Sequence, residues 1–278
     1  MERFSSFRVP MFFAILILAG VQVESDAAEI NMGGDRSLEC IATNNGQIAK
    51  GDTQKLVDLL HRMASTGGHG ITLNKYASDT EKRAKRDIYN DSGRRICLNS
   101  EGGSYAEALR MLEYLYGLFG TAIPRDGQCL SACSVIFMSG SQNTESDAGT
   151  IANRVMHASA RLGFHVPSLV VPEGNYNKET VNKAYKIAIT SVGSLMKRSG
   201  DIKMPYTLIS EMISTPPDRM FYIDTVHKAA RWNIRVTGTL RPERYTKRAY
   251  AYAYACNNYY SMQADKIGYA GLGDGSFQ

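Results

Sequence analysis

Leu98-Asn99-Ser100-Glu101-Gly102-Gly103-Ser104-Tyr105-Ala106-Glu107 reads as the end of a strand, a glycine turn and the start of a capped helix. Just upstream, Arg95-Ile96-Cys97-Leu98-Asn99 is an apolar run of strand length. Downstream, Ser104 and Glu107 have capping-box spacing, and Leu109, Leu112, Leu115, Tyr116 and Phe119 share one helical face that Gly120 closes. A strand delivered through a tight turn into a helix is the building unit of an α/β domain. Backbone N–H groups left free at such a turn can also hold an oxyanion.

The unit recurs. Asp126-Gly127-Gln128-Cys129-Leu130-Ser131-Ala132-Cys133 is again a strand with a glycine turn, leading into an apolar helix that reaches Met138. A serine at that helix start sits where the macrodipole favours developing negative charge. Its commonplace alternative is an N-cap. Leu56, Leu59, Leu60 and Met63 form another helical face, capped by Asp52 or Thr53. Thr121–Ile123 and Arg161–His165 read as strands, and Lys178–Arg198 as a long helix. Residues 66–93 read as an exposed excursion and 141–150 as a polar loop. From Gly238 the chain becomes tyrosine-rich, and the alternation before Cys256 suits a strand or an alanine-favoured helix.

The chain has 278 residues, 44% hydrophobic and 21% charged, with a net charge of +5 and a mean hydropathy of −0.26. That composition is globular and excludes disordered, collagen-like and multi-span membrane classes. The charge is mild and scattered, so nucleic acid is not expected as a partner. At the N-terminus, Arg3 and Arg8 precede the apolar run Met11–Val21 and a small, acidic exit to Ala28. This is the pattern of a secretory signal, about 11 apolar residues against the ~20 of a spanning helix. Cleavage is expected near Ala27 or Ala28; the alternative is an uncleaved anchor holding the protein at the inner membrane. The expected division is a signal peptide over 1–28, one α/β domain over 40–236 and an extension over 238–278.

Export changes what five cysteines mean, because disulfides persist in oxidising compartments. Cys40 and Cys256 are placed to tie the two ends together. Cys129 and Cys133 could be bonded, bracing the turn that holds Ser131, or merely buried. A second ligand pair at zinc spacing is lacking, so no metal is expected.

Taken in order, Asn99-Ser-x-Gly-Gly103 followed by Ser131 within Gly-Gln-x-x-Ser-Ala resembles the proteolytic subunit of Clp protease and the wider Clp/crotonase fold. Gly46-x-Ile48-x-x-Gly51-Asp52 is similar to that family's first strand and helix. Ala160-Arg161-Leu162-Gly163-Phe164-His165-x-Pro167 is similar to the strand carrying its histidine, and Thr215-Pro-Pro-Asp218 to its closing segment. The likeness runs over about residues 44–236 and is nearest to exported bacterial proteins with a Clp-protease-like domain. It implies an α/β spiral of repeated β-β-α units in a single domain. It also implies Ser131 as nucleophile, His165 as base, Asp218 as third member, and Gly103 and Ala132 N–H as the oxyanion hole. His157 is the alternative base, being nearer Ser131 in sequence. Asp224 is the alternative to Asp218, although it suits the cap of the next helix.

A serine hydroxyl attacks an amide only when a base takes its proton, and imidazole does that near neutrality. The resemblance therefore implies an exported periplasmic serine peptidase cleaving peptides or unfolded polypeptides, without cofactor, and leaves a homo-oligomer open. A Ser/Lys variant would draw on Lys183 or Lys186. The rival from another class is a catalytically inactive binding or assembly module on the same fold. A crotonase-type acyl-thioester enzyme would need coenzyme A, which export disfavours.

Overall fold

A computed structural model describes residues 27–90, 92–144, 149–168, 174–200, 202 and 204–238. The proposed leader and the tyrosine-rich extension with Cys256 lie outside them, apart from Ala27 and Ala28 at one boundary and Gly238 at the other. The chain enters as β1 (Glu29–Met32), then β2 (Cys40–Asn45) and α1 (Asp52–Thr66). The expected excursion carries β3 (Thr72–Leu73), α2 (Asp79–Arg83) and β4 (Ile88–Tyr89). Next come β5 (Arg95–Asn99), α3 (Tyr105–Leu115), β6 (Gly120–Ile123), β7 (Gln128–Leu130) and α4 (Ala132–Met138). The polar loop after α4 is a hairpin of β8 (Ser141–Asn143) and β9 (Thr150–Ala152). β10 (Arg154–His157) and β11 (Arg161–Phe164) precede the long α5 (Lys178–Ser199) and α6 (Tyr206–Ser214). The described chain closes with β12 (Phe221–Tyr222), α7 (Val226–Arg231) and β13 (Arg235–Thr237).

These elements make a mixed α/β architecture. A six-stranded sheet has the order β1-β2-β5-β6-β10-β13, parallel except for β1 at its edge. A second, three-stranded sheet has the order β12-β11-β7. The two communicate at Ser100, whose N–H donates to Gln128 and whose carbonyl accepts from Leu130. Ala28 is buried, and β1 pairs along its whole length with β2. No helix among the described residues is long and apolar enough to cross a membrane.

α4 explains the main core. All seven of its residues are buried, as expected of a helix apolar all round. α3 packs against it with Ala108, Met111, Leu112 and Leu115, and α1 adds Leu56, Leu60 and Met63. Each of those large side chains contributes about 1.5–3 kcal/mol on burial. On another patch of the six-stranded sheet, Leu38, Cys40, Cys97, Ala122 and Val155 form a small second cluster.

That cluster holds a correction. Cys40 is bonded to Cys97, with Cα atoms 5.6 Å apart, and not to Cys256. β2 and β5 are adjacent parallel strands, so their cysteines meet across the ladder. Cys129 and Cys133 are bonded to each other, Cα atoms 5.1 Å apart.

Candidate active site

Two parallel strands assemble the site. β7 and β11 pair with Leu130 opposite Gly163, so their C-terminal ends emerge side by side. Ser131 follows β7 and His165 follows β11. The Ser131 N–H donates to the Gly163 carbonyl at 3.1 Å, tying the two exits together. Ser131 and His165 line one cavity of about 110 Å³ with Gly103, Tyr105, Ala132 and Val135.

Ser131 stands at the N-terminus of α4 with φ 55° and ψ −124°. Glycine is the usual occupant of that conformation, which opens a type II′ turn, and a side chain there costs roughly 1–3 kcal/mol. The serine hydroxyl makes no capping hydrogen bond, so the ordinary structural role of such a serine is not in use. A strained serine on a sharp strand-to-helix turn presents its Oγ outward, the geometry of a nucleophile elbow.

The glycine turn after β5 is shaped to this elbow. A Cβ at Gly102 would lie 2.7 Å from Ser131 Cβ and 2.9 Å from the Leu130 carbonyl. One at Gly103 (φ 131°) would run into the Ile48 carbonyl. Ile48 clamps this turn on both sides: its N–H donates to Gly102 at 2.7 Å, and its carbonyl accepts from Ser104 at 2.8 Å. Between those bonds, Gly103 N–H donates to no described group, and neither does Ala132 N–H at the start of α4. Two free donors beside Ser131, one on a buried helix N-terminus, can stabilise a tetrahedral oxyanion.

His165 is half-buried, with Nδ1 2.8 Å from the Val166 carbonyl. A carbonyl can only accept, so the neutral ring carries its proton on Nδ1 and leaves Nε2 with the lone pair a base needs. Val166 is itself fixed, its N–H donating to the Thr215 carbonyl at 3.0 Å. No hydrogen bond joins Ser131 Oγ to His165 among the described residues; such contacts commonly tighten when substrate binds.

The other expected residues lie apart from this cavity. His157 is on β10 in the six-stranded sheet, its Nδ1 2.8 Å from Ser159 Oγ. Asp218 is exposed in the turn closed by Arg219 N–H on the Pro216 carbonyl, and has no hydrogen bond or ion pair among the described residues. Asp224 pairs with Lys228 at 2.8 Å, which holds its carboxyl below the usual range, while Thr225 caps α7 in its place. Lys183 and Lys186 sit on exposed turns of α5 and do not line the Ser131 cavity. Two participants escape sequence reasoning: the Val166 carbonyl, because it is backbone, and Tyr105. Tyr105 lines the cavity, and its phenol oxygen is buried without a hydrogen-bond partner among the described residues. Burial raises its pKa, so it stays protonated. Its signal is its position, immediately behind the Ser104 cap.

No family model matches the chain, and no curated protein matches it. By structure it is similar to a point mutant of ClpP1 from Listeria monocytogenes, at 14% sequence identity and a TM-score of 0.44 over 73% of this chain and 93% of that chain.

Proposed function

We propose that the protein is an exported serine peptidase of Clp-protease-like type, acting on peptides or unfolded polypeptides. The observation that carries this reading is Ser131: strained, uncapped, and sharing a cavity with His165 and two unengaged N–H groups. In the proposed reaction, His165 Nε2 takes the Ser131 proton as Oγ attacks the scissile carbonyl. Gly103 and Ala132 N–H hold the oxyanion, and the imidazolium then protonates the leaving amine. The order of elements supports the spiral of β-β-α units: β6–β7–α4 and β10–β11–α5 each place one strand in the large sheet and the next in the small one. Two disulfides fit an oxidising compartment, and with the basic-then-apolar N-terminus they support export to the periplasm.

A fluorophosphonate probe tests the reading. We expect labelling of the intact protein at Ser131, lost in Ser131→Ala and strongly slowed in His165→Ala. Absence of labelling in a folded wild-type chain would favour the inactive binding module instead.

A further inference from the structure

We infer that the Cys129–Cys133 disulfide is a positioning element of the Ser131 elbow, so that the site is assembled only when that bond is formed. The inference rests on the serine-peptidase reading and adds a condition to it. Cys129 is anchored from both sides of β7, paired with Leu162 in β11 and bridged to Ser100 beyond β5. Cys133 lies in the first turn of α4, and both cysteines are fully buried. The bond joins strand to helix across the residue that holds the unfavourable backbone, Ser131 at φ 55°.

What the bond opposes can be stated. The Ser134 N–H and Oγ now both donate to the Ser131 carbonyl, at 3.0 and 2.6 Å. If Ser131 relaxed to negative φ, its own Oγ could accept from that N–H, three residues on, as an ordinary N-cap. The change would relieve the strain and turn the nucleophile from the cavity into the helix end. A short covalent link from the anchored strand to the first helical turn restricts that rotation, whereas the single Ser131 N–H to Gly163 bond only pins one end. Opening the link takes two electrons and two protons from a dithiol, which leaves as its own disulfide while Cys129 and Cys133 become thiols.

The other disulfide supplies the control. Cys40–Cys97 closes a much longer loop outside the cavity lining, so its loss lowers stability without touching the elbow. Cys129→Ala/Cys133→Ala and Cys40→Ala/Cys97→Ala are compared for fluorophosphonate labelling well below their melting temperatures. The first is expected to label about 100-fold more slowly, the scale of a misplaced reacting group; the second is expected to label at the wild-type rate. Equal labelling of wild type and the first variant would overturn the inference and leave the peptidase reading intact. A crystal structure of that variant gives a readout independent of activity. Ser131 at negative φ with Oγ on Ser134 N–H is expected, and Ser131 kept at positive φ overturns the inference even if the wild type never labels. Should the alanine pair fail to fold, the wild-type chain titrated with dithiothreitol serves: labelling must fall in step with alkylation of Cys129 and Cys133, and labelling unchanged after both are alkylated overturns it.

Discussion

The two strand-to-helix junctions that meet at the cavity are built by opposite rules. After β5, the turn needs positive φ at two positions and both are glycine, Gly102 at 115° and Gly103 at 131°. Ser104 then caps α3 by accepting from Glu107 N–H. After β7, the positive φ falls on a serine, and that serine leaves its helix uncapped. The first junction satisfies what local stability asks, while the second gives up both comforts at one residue. Strain that a glycine would remove is kept here at a residue that carries a hydroxyl. The difference between the junctions therefore marks Ser131, independently of any likeness to other proteins.

The largest expected effect comes from making the second junction resemble the first. Ser131→Gly removes the hydroxyl and the strain together. Labelling should vanish, while stability should rise by about 1 kcal/mol, the relief of a side chain held at positive φ partly offset by glycine's greater unfolded entropy. Thermal denaturation of wild type, Ser131→Gly and Ser131→Ala measures this. If glycine is no more stable than alanine, the elbow is not strained and the contrast collapses.

Much of this was legible in sequence, and what was not depends on non-local neighbours. Gly102-Gly103-Ser104 and Leu130-Ser131-Ala132 declare themselves because turn chemistry and helix starts are local. The capping box is only half formed for a non-local reason. Ser104 N–H is taken by the Ile48 carbonyl, so the Glu107 side chain crosses to α1 and accepts from Thr53 N–H at 2.9 Å. The partner of Cys40 depends in the same way on which strands are neighbours, and nothing near Cys40 announces that β5 lies alongside. Asp218 stands exposed in the turn closed by Arg219 N–H on the Pro216 carbonyl. The Pro-Pro-Asp stretch is itself a local signal for such a turn toward solvent.

Glu107 gives the intermediate effect and tests the first junction as a stability device. Its side chain is almost fully buried, and it also bonds Arg110 at 3.2 Å. Burial by itself would raise its carboxyl, but hydrogen bonds from Thr53 and the Gly51 backbone, with the Arg110 charge, bring it below the ordinary range. A group whose folded pKa is depressed stabilises above its unfolded value, near ~4.3, and loses that contribution as pH falls through the folded value. Glu107→Ala should therefore cost about 1–3 kcal/mol at neutral pH. Urea denaturation at pH 7 and in acid should show the gap narrowing as the wild type is protonated. A gap independent of pH would assign the loss to packing alone.

The smallest expected effect is the most pointed. In a Ser-His-Asp triad the carboxylate fixes the histidine tautomer, and its conversion to an amide costs about 10⁴-fold in rate. Here the Val166 carbonyl already holds the proton on His165 Nδ1, and the Thr215 carbonyl holds Val166. Asp218 follows three residues later but is carried off by the Pro216–Arg219 turn. The segment thus reaches the His165 side of the cavity through the Thr215 carbonyl, a backbone group. Asp218→Asn should leave the rate of probe labelling at Ser131 unchanged across neutral pH. A loss approaching 10⁴-fold would mean that the segment swings Asp218 onto His165 when substrate binds. The cavity would then be completed by a carboxylate that this structure places in solvent.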